Sequence, residues 1–193
     1  MSDRTMLAGV ALCSPYEQGD LDNLCGLYAA LNATCLVSSP LYPLSRSEAM
    51  QVLNSGINYL HNRKGLSDAL IHGMALQRQR AVTRHMAKAA KRVVDLDFAA
   101  KPLVPRTAKL TADAVLQLLA GRIAAGSAVV ACLENTFWHY TVFSGVSASR
   151  VYLFDSDGLN WIERRSFGIC GPACQARHCV SLASLIEVSV VST

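Results

Sequence analysis

The feature that most constrains this chain is a change of hydrophobic period at Gly126. Before it, apolar residues recur three and four positions apart, the spacing of helices with one buried stripe. After it come short β-branched and aromatic runs separated by polar turns, which read as strands. Helices followed by strands, rather than alternating with them, imply an α+β fold built on an antiparallel sheet. The 193 residues suit one domain over 1–193, with 1–106 and 107–126 mainly helical and 127–193 mainly β.

The helical half divides at recognisable signals. Leu24, Leu27, Tyr28, Leu31 and Cys35 mark a buried helix starting at Asp22 or Asn23, so Cys25 falls in its opening turn. Ser45 to Glu48 reads as a capping box ahead of Ala49, Val52, Leu53, Ile57 and Leu60. Ser67-Asp68 opens a further helix through Leu70, Ile71 and Met74, which the spacing allows to continue into a basic stretch. That stretch holds Arg78, Arg80, Arg84, Lys88, Lys91 and Arg92. It is read as a solvated helix face, with an acidic partner as the alternative; no nucleic-acid motif accompanies it. Lys101 to Arg106, with two prolines, reads as the hinge between the halves, and Thr111 caps the next helix. Strands are expected over 127–133, 138–146, 150–154, 160–163 and 186–191.

Composition excludes several classes. With 51% hydrophobic and 17% charged residues the chain is neither disordered nor a charged binding tail. No apolar run reaches the ~18 residues needed to span a bilayer. Asp3 and Arg4 interrupt the start, which lacks the pattern of a secretory leader, so the default location is cytoplasmic, with export or injection into a target cell by a leaderless route as the alternative. Seven cysteines at irregular spacing argue against a disulfide framework and leave at least one free thiol. Cys170, Cys174, His178 and Cys179 fall around Gly171-Pro172 and read first as a tight turn, with zinc or a redox or disulfide pair as alternatives.

Thiol hydrolysis of an amide needs an activated sulfur, a base, a group orienting the base and donors for the oxyanion. Cys25 at a helix start meets the first requirement, since the helix dipole favours a thiolate. Gly26 after it gives room for a substrate carbonyl. Asp20 and Asp22 oppose the thiolate by charge, so a cationic histidine partner is required. His139 in Phe-Trp-His-Tyr-Thr-Val supplies that partner. If Gly145–Ser149 is a hairpin turn centred on Ser147, His139 stands directly opposite Asp155, with Cβ atoms ~4.5–5.5 Å apart. Asp155 then fixes the imidazole, with Asp157 and Asn160 as the reserve candidates. Gln18, seven residues before Cys25, offers an amide donor to the oxyanion.

The order of Gln18, Cys25-Gly26 at a helix start, His139-Tyr-Thr-Val-Phe-Ser-Gly at a strand start and Leu-Phe-Asp155 at the end of the next resembles the papain-like superfamily. It is most similar there to the bacterial C39-like peptidases. The resemblance implies a papain-like fold of helical and β lobes. It also implies a cysteine nucleophile at Cys25, a general base at His139, an orienting Asp155 and an oxyanion donor at Gln18. Gln18 is one residue further from Cys25 than is usual in that superfamily, and Asp155-Ser-Asp157-Gly replaces the usual Asp-Pro. The expected activity is hydrolysis of a peptide or isopeptide bond in a protein or peptide substrate, with no cofactor and no metal. Deamidation, transamidation or acyl transfer at the same site, and a non-catalytic binding module, are the alternatives. An injected effector is a further reading, motivated by size and isolation.

Overall fold

A computed structural model describes residues 4–19, 22–105, 107–135, 138–172 and 174–191. Asp3, Asp20, Arg106 and Phe137, named above, lie outside the described residues. The protein is α+β. A short strand, β1 (Thr5–Met6), and a 3₁₀ turn lead into helices α1 (Cys25–Ser38), α2 (Arg46–Asn62), α3 (Leu66–His72) and α4 (Leu76–Val94). Strand β2 (Phe98–Pro102) and helix α5 (Ala112–Ala124) follow. The remaining strands are β3 (Ala128–Asn135), β4 (His139–Val146), β5 (Arg150–Leu153), β6 (Trp161–Glu163), β7 (Phe167–Ile169), β8 (His178–Val180) and β9 (Ile186–Val190). Among the described residues no helix is long and apolar enough to cross a membrane.

Helix boundaries follow capping chemistry where it is present. Ser45 Oγ accepts from Glu48 N at 3.3 Å while Glu48 returns a bond to Ser45 N at 2.7 Å, closing the capping box of α2. Thr111 Oγ1 accepts from Ala114 N at 3.3 Å at the start of α5. The expected run from Ser67 into the basic stretch is instead two helices. α3 starts at Leu66 without a side-chain cap, and residues 73–75 separate it from α4. The cations of α4 are partly spent within the fold: Arg78 pairs with Asp68, Lys91 with Asp97, and Arg80 donates to the Ala183 carbonyl.

α1 is apolar all round and buried throughout except at Tyr28. It packs on β3, β4 and β9 and is covered by α2 and α4, while α5 packs on β1, β3 and β4. The path through the sheet is β2-β9-β3-β4-β5-β6. β3 is central: one edge pairs with β4, and the other is shared between β9 near its start and β8 near its end.

Three expectations need correction. Lys101 and Pro102 are not a hinge but the end of β2, which crosses the sequence halves to pair with β9 (Lys101↔Glu187, Pro102↔Ile186). An edge strand tolerates the missing N–H of proline, which hid it from the pattern. The sheet is not wholly antiparallel, because β7 and β8 run parallel. The cysteine-rich turn is closed by a disulfide between Cys174 and Cys179, leaving Cys13, Cys25, Cys35, Cys132 and Cys170 free. The turn and the disulfide alternative therefore coexist. Among the described residues no three His, Cys, Asp or Glu side chains are grouped to hold a metal ion.

β1 closes the corner of the sheet by pairing Met6 with Gly145 and Thr5 with Val146. A Cβ on Gly145 would lie 1.9 Å from Met6 Sδ and 2.9 Å from the Thr5 carbonyl oxygen. The sulfur can move but the backbone oxygen cannot without unpairing β1. Gly145→Ala should therefore cost roughly 1–3 kcal/mol, read as a lower urea midpoint; an unchanged midpoint would show that β1 contributes nothing.

Candidate active site

The site is built where the start of α1 meets the start of β4. Asp22 Oδ1 accepts from Leu24 N at 2.9 Å, turning the chain into the helix, and Asn23 Nδ2 donates to the carbonyls of Leu70 and Ile71 at 3.1 and 2.9 Å. These bonds fix the first turn of α1 against the end of α3. The amides of Leu27 and Tyr28 bond the Leu24 carbonyl, whereas those of Cys25 and Gly26 precede the first intrahelical bond. Gly26 is glycine for a reason other than the one expected. A Cβ there would meet Gln79 Oε1 at 2.0 Å and Met74 Cε at 2.5 Å, so the position is dictated by α4 packing against α1. Buried Gln79 uses its Nε2 to donate to the Gly26 carbonyl at 2.8 Å and to Thr83 Oγ1 at 3.2 Å, bracing the helix start from beneath.

Cys25 is buried, and the Tyr140 amide reaches its sulfur at 3.5 Å. Next to Tyr140 stands His139, whose ring is close enough to Cys25 for the two side chains to interact. His139 Nε2 lies 2.7 Å from Asp155 Oδ1, which leaves Nδ1 as the ring nitrogen for sulfur.

The contact between His139 and Asp155 exists, but the register expected to make it does not. The turn is tighter than a hairpin centred on Ser147 with His139 facing Asp155: Ser147 N bonds the Arg150 carbonyl, and Val146 pairs with Val151. In that register Asp155 would fall level with Val142, on the face away from His139. A bulge between Gly145 and Phe143 shifts the pairing, so that Phe143 faces Leu153 and Phe154 N bonds the Val142 carbonyl at 2.8 Å. Asp155 then falls level with Thr141, one diagonal step from His139 on the same face. One extra residue in β4 therefore decides whether the pair meets at all.

Of the three orienting candidates, only Asp155 is buried. Its second oxygen accepts from the amides of Asp157 and Leu159 at 2.9 and 3.3 Å. Asp157 is exposed and contributes its backbone N–H, and exposed Asn160 bonds the Gly158 carbonyl. Gln18 reaches this loop from the other side. Its backbone N–H donates to the Ser156 carbonyl at 3.0 Å, and its side-chain Oε1 accepts from Ser156 Oγ at 3.5 Å. The segment carrying Gln18 is held against α1 by buried Asn32, which bonds both the N–H and the carbonyl of Tyr16 at 2.8 and 3.0 Å. The structure thus puts Gln18 beside the Asp155 loop, with the His139 ring held by Asp155 and neighbouring Cys25.

Burial works against a charged His139, but the hydrogen bonds and charges of Asp155 and Cys25 outweigh it and push the ring up to about 10. Burial likewise works to raise Asp155, yet the bond and charge of His139 and the Asp157 N–H hold it below the ordinary carboxylate value. The pair is therefore an ion pair at neutral pH. The other free thiols are all pushed up, chiefly by burial: Cys13 modestly, and Cys35, Cys132 and Cys170 to about 12. These stay protonated.

Cys25 opens onto a cleft of about 520 Å³ whose walls come from α3, the 73–76 segment and the facing ends of β3 and β4. Cys132, Glu134 and Trp138 line it and were not singled out from the sequence. Their signal was present: polar and aromatic residues at the adjoining ends of two strands, beside a candidate histidine, are poor core choices. Comparison adds nothing to this geometry. No protein family, curated protein or solved structure matches the chain.

His139 charged in the native state stabilises the fold. That contribution is fully present below its ordinary pKa of 6.5 and is lost as pH rises through about 10. The lowered Asp155 contributes above the ordinary carboxylate range and loses its effect as pH falls through its native value. NMR titration of the His139 ring should give a midpoint near 10, falling in Asp155→Asn. A wild-type midpoint near 6.5 would mean that the ion pair is absent.

Proposed function

We propose that this chain is a papain-like cysteine hydrolase that cleaves amide bonds through a thioester on Cys25. The observation that carries the reading is the His139 ring, set next to Cys25 and 2.7 Å from a buried Asp155 that is itself fixed by two backbone amides. The α+β order supports it too, with a helix-borne cysteine preceding a strand-borne histidine and aspartate.

In the first step the Cys25 thiolate attacks the substrate carbonyl carbon, and charge develops on the carbonyl oxygen. The amides of Cys25 and Gly26, which precede the first bond of α1, are the donors nearest that oxygen in the chain. The C–N bond then breaks and the His139 imidazolium gives its proton to the departing amine. In the second step His139 takes a proton from water, the hydroxide carbon–oxygen bond forms, and the C–S bond breaks to return the thiolate. Asp155 holds the ring in the orientation that both proton transfers need. Gln18, tied to Ser156, anchors the loop that bears Asp155.

Brief alkylation with substoichiometric iodoacetamide at neutral pH, followed by peptide mapping, should modify Cys25 ahead of Cys13, Cys35, Cys132 and Cys170. His139→Ala should slow that reaction by roughly tenfold to a hundredfold. Cys25→Ala should abolish cleavage of a denatured-protein peptide library while leaving the circular dichroism unchanged. Cleavage that persists in this variant would end the proposal. Products of unchanged length would assign the same thioester to deamidation or transfer in place of hydrolysis.

A further inference from the structure

We infer that the cleft beside Cys25 selects a polypeptide carrying a lysine or arginine side chain next to the scissile amide, with Glu134 and Trp138 as the recognising pair. The inference rests on Cys25 being the nucleophile and names the substrate class of that same site. β3 and β4 pair Cys132 with Tyr140 and Leu133 with His139, so Glu134 and residue 138 are level at the mouth of the strands and share a face. Both line the cleft that holds Cys25. Trp138 is 80% exposed, which is costly for the largest apolar side chain unless something covers it. Ile71, on the opposite wall, is 65% exposed.

Among the described residues Glu134 is the only acidic one lining the cleft, and no lysine or arginine lines it. The partner of its carboxylate is a neutral one: the Cys170 thiol donates to Oε2 at 3.2 Å. No ion pair to Glu134 occurs among the described residues. Burial and the neighbouring Glu134 itself keep Cys170 protonated, so this donor leaves the negative charge in place. A carboxylate beside an exposed indole is the chemistry that binds an organic cation, by charge on one side and by the aromatic face on the other. The apolar wall opposite suits the aliphatic stem of the same side chain. His72 is the one basic residue among the described lining, so in a protein of net charge +4 the lysines and arginines described lie elsewhere and leave the position beside Glu134 for a substrate cation.

The test uses matched peptidyl vinyl sulfones that differ at one side chain, arginine against its uncharged isostere citrulline, placed in turn at the two residues before the warhead. At one of these positions wild-type protein should label on Cys25 roughly tenfold faster with arginine, and added salt should shrink the gap. Glu134→Gln, which keeps an acceptor for the Cys170 thiol, should react with both probes at equal rates. Equal rates in the wild type at both positions, or a preference that survives Glu134→Gln, would overturn the inference while leaving the nucleophile standing. No labelling of Cys25 by any probe, nor by iodoacetamide, would overturn the nucleophile and this inference together.

Discussion

The bulge between Phe143 and Gly145 sets the face on which Asp155 stands, and the chemistry of the site depends on that choice. Strand pairing has a period of two, so a single inserted residue moves everything beyond it to the other face. With the bulge, the buried carboxylate reaches the imidazole at 2.7 Å. Without it, Asp155 would share a face with Val142 and the imidazole would lack its orienting charge. The same corner is where β1 crosses β4 at Gly145, so the irregular stretch is clamped by a neighbouring strand. The fold stabilises the irregularity that the site requires.

Four of the free thiols are pushed up in pKa, chiefly by burial. Burial favours the neutral form of any cysteine, and Cys35, Cys132 and Cys170 obey it. Cys132 even shares the cleft with Cys25. What differs is company. Cys25 neighbours an imidazole held cationic by Asp155, whereas Glu134 stands near Cys132 and Cys170.

Much of this was legible in the sequence, for local reasons. The boundaries of α2 and α5 follow from Ser45, Glu48 and Thr111, because capping is settled within four residues. His139 and Asp155 were expected as a pair through a register the strands do not adopt, while Cys25 at a helix start followed from spacing. The bulge did not, because register is settled by β1, β3 and β5 together. β2 was hidden because Ala-Ala-Lys-Pro carries no strand signal and forms only when β9 is there to pair with it. The break at 73–75 has a local cause that the spacing alone passed over: Gly73 ends α3 at a φ of 73°, with its N–H bonded to the Ala69 carbonyl. Gly26 was legible as a special position but for the wrong cause: the crowding comes from Gln79 and Met74, far along the chain.

The asparagine that brackets Tyr16 has a consequence for how the site comes into being. It ties the leading segment to α1 across 16 residues, an early and local contact. The bonds that complete the site span far more chain, 115 residues from Tyr140 to the Cys25 sulfur and 138 from Ser156 to Gln18. Contacts of such separation are slow to form, and during synthesis they must wait for the strands to leave the ribosome. For most of its time as a nascent chain the molecule holds a cysteine with no base beside it. Cys25 thus meets His139 and Tyr140 only once the last third of the chain is in place.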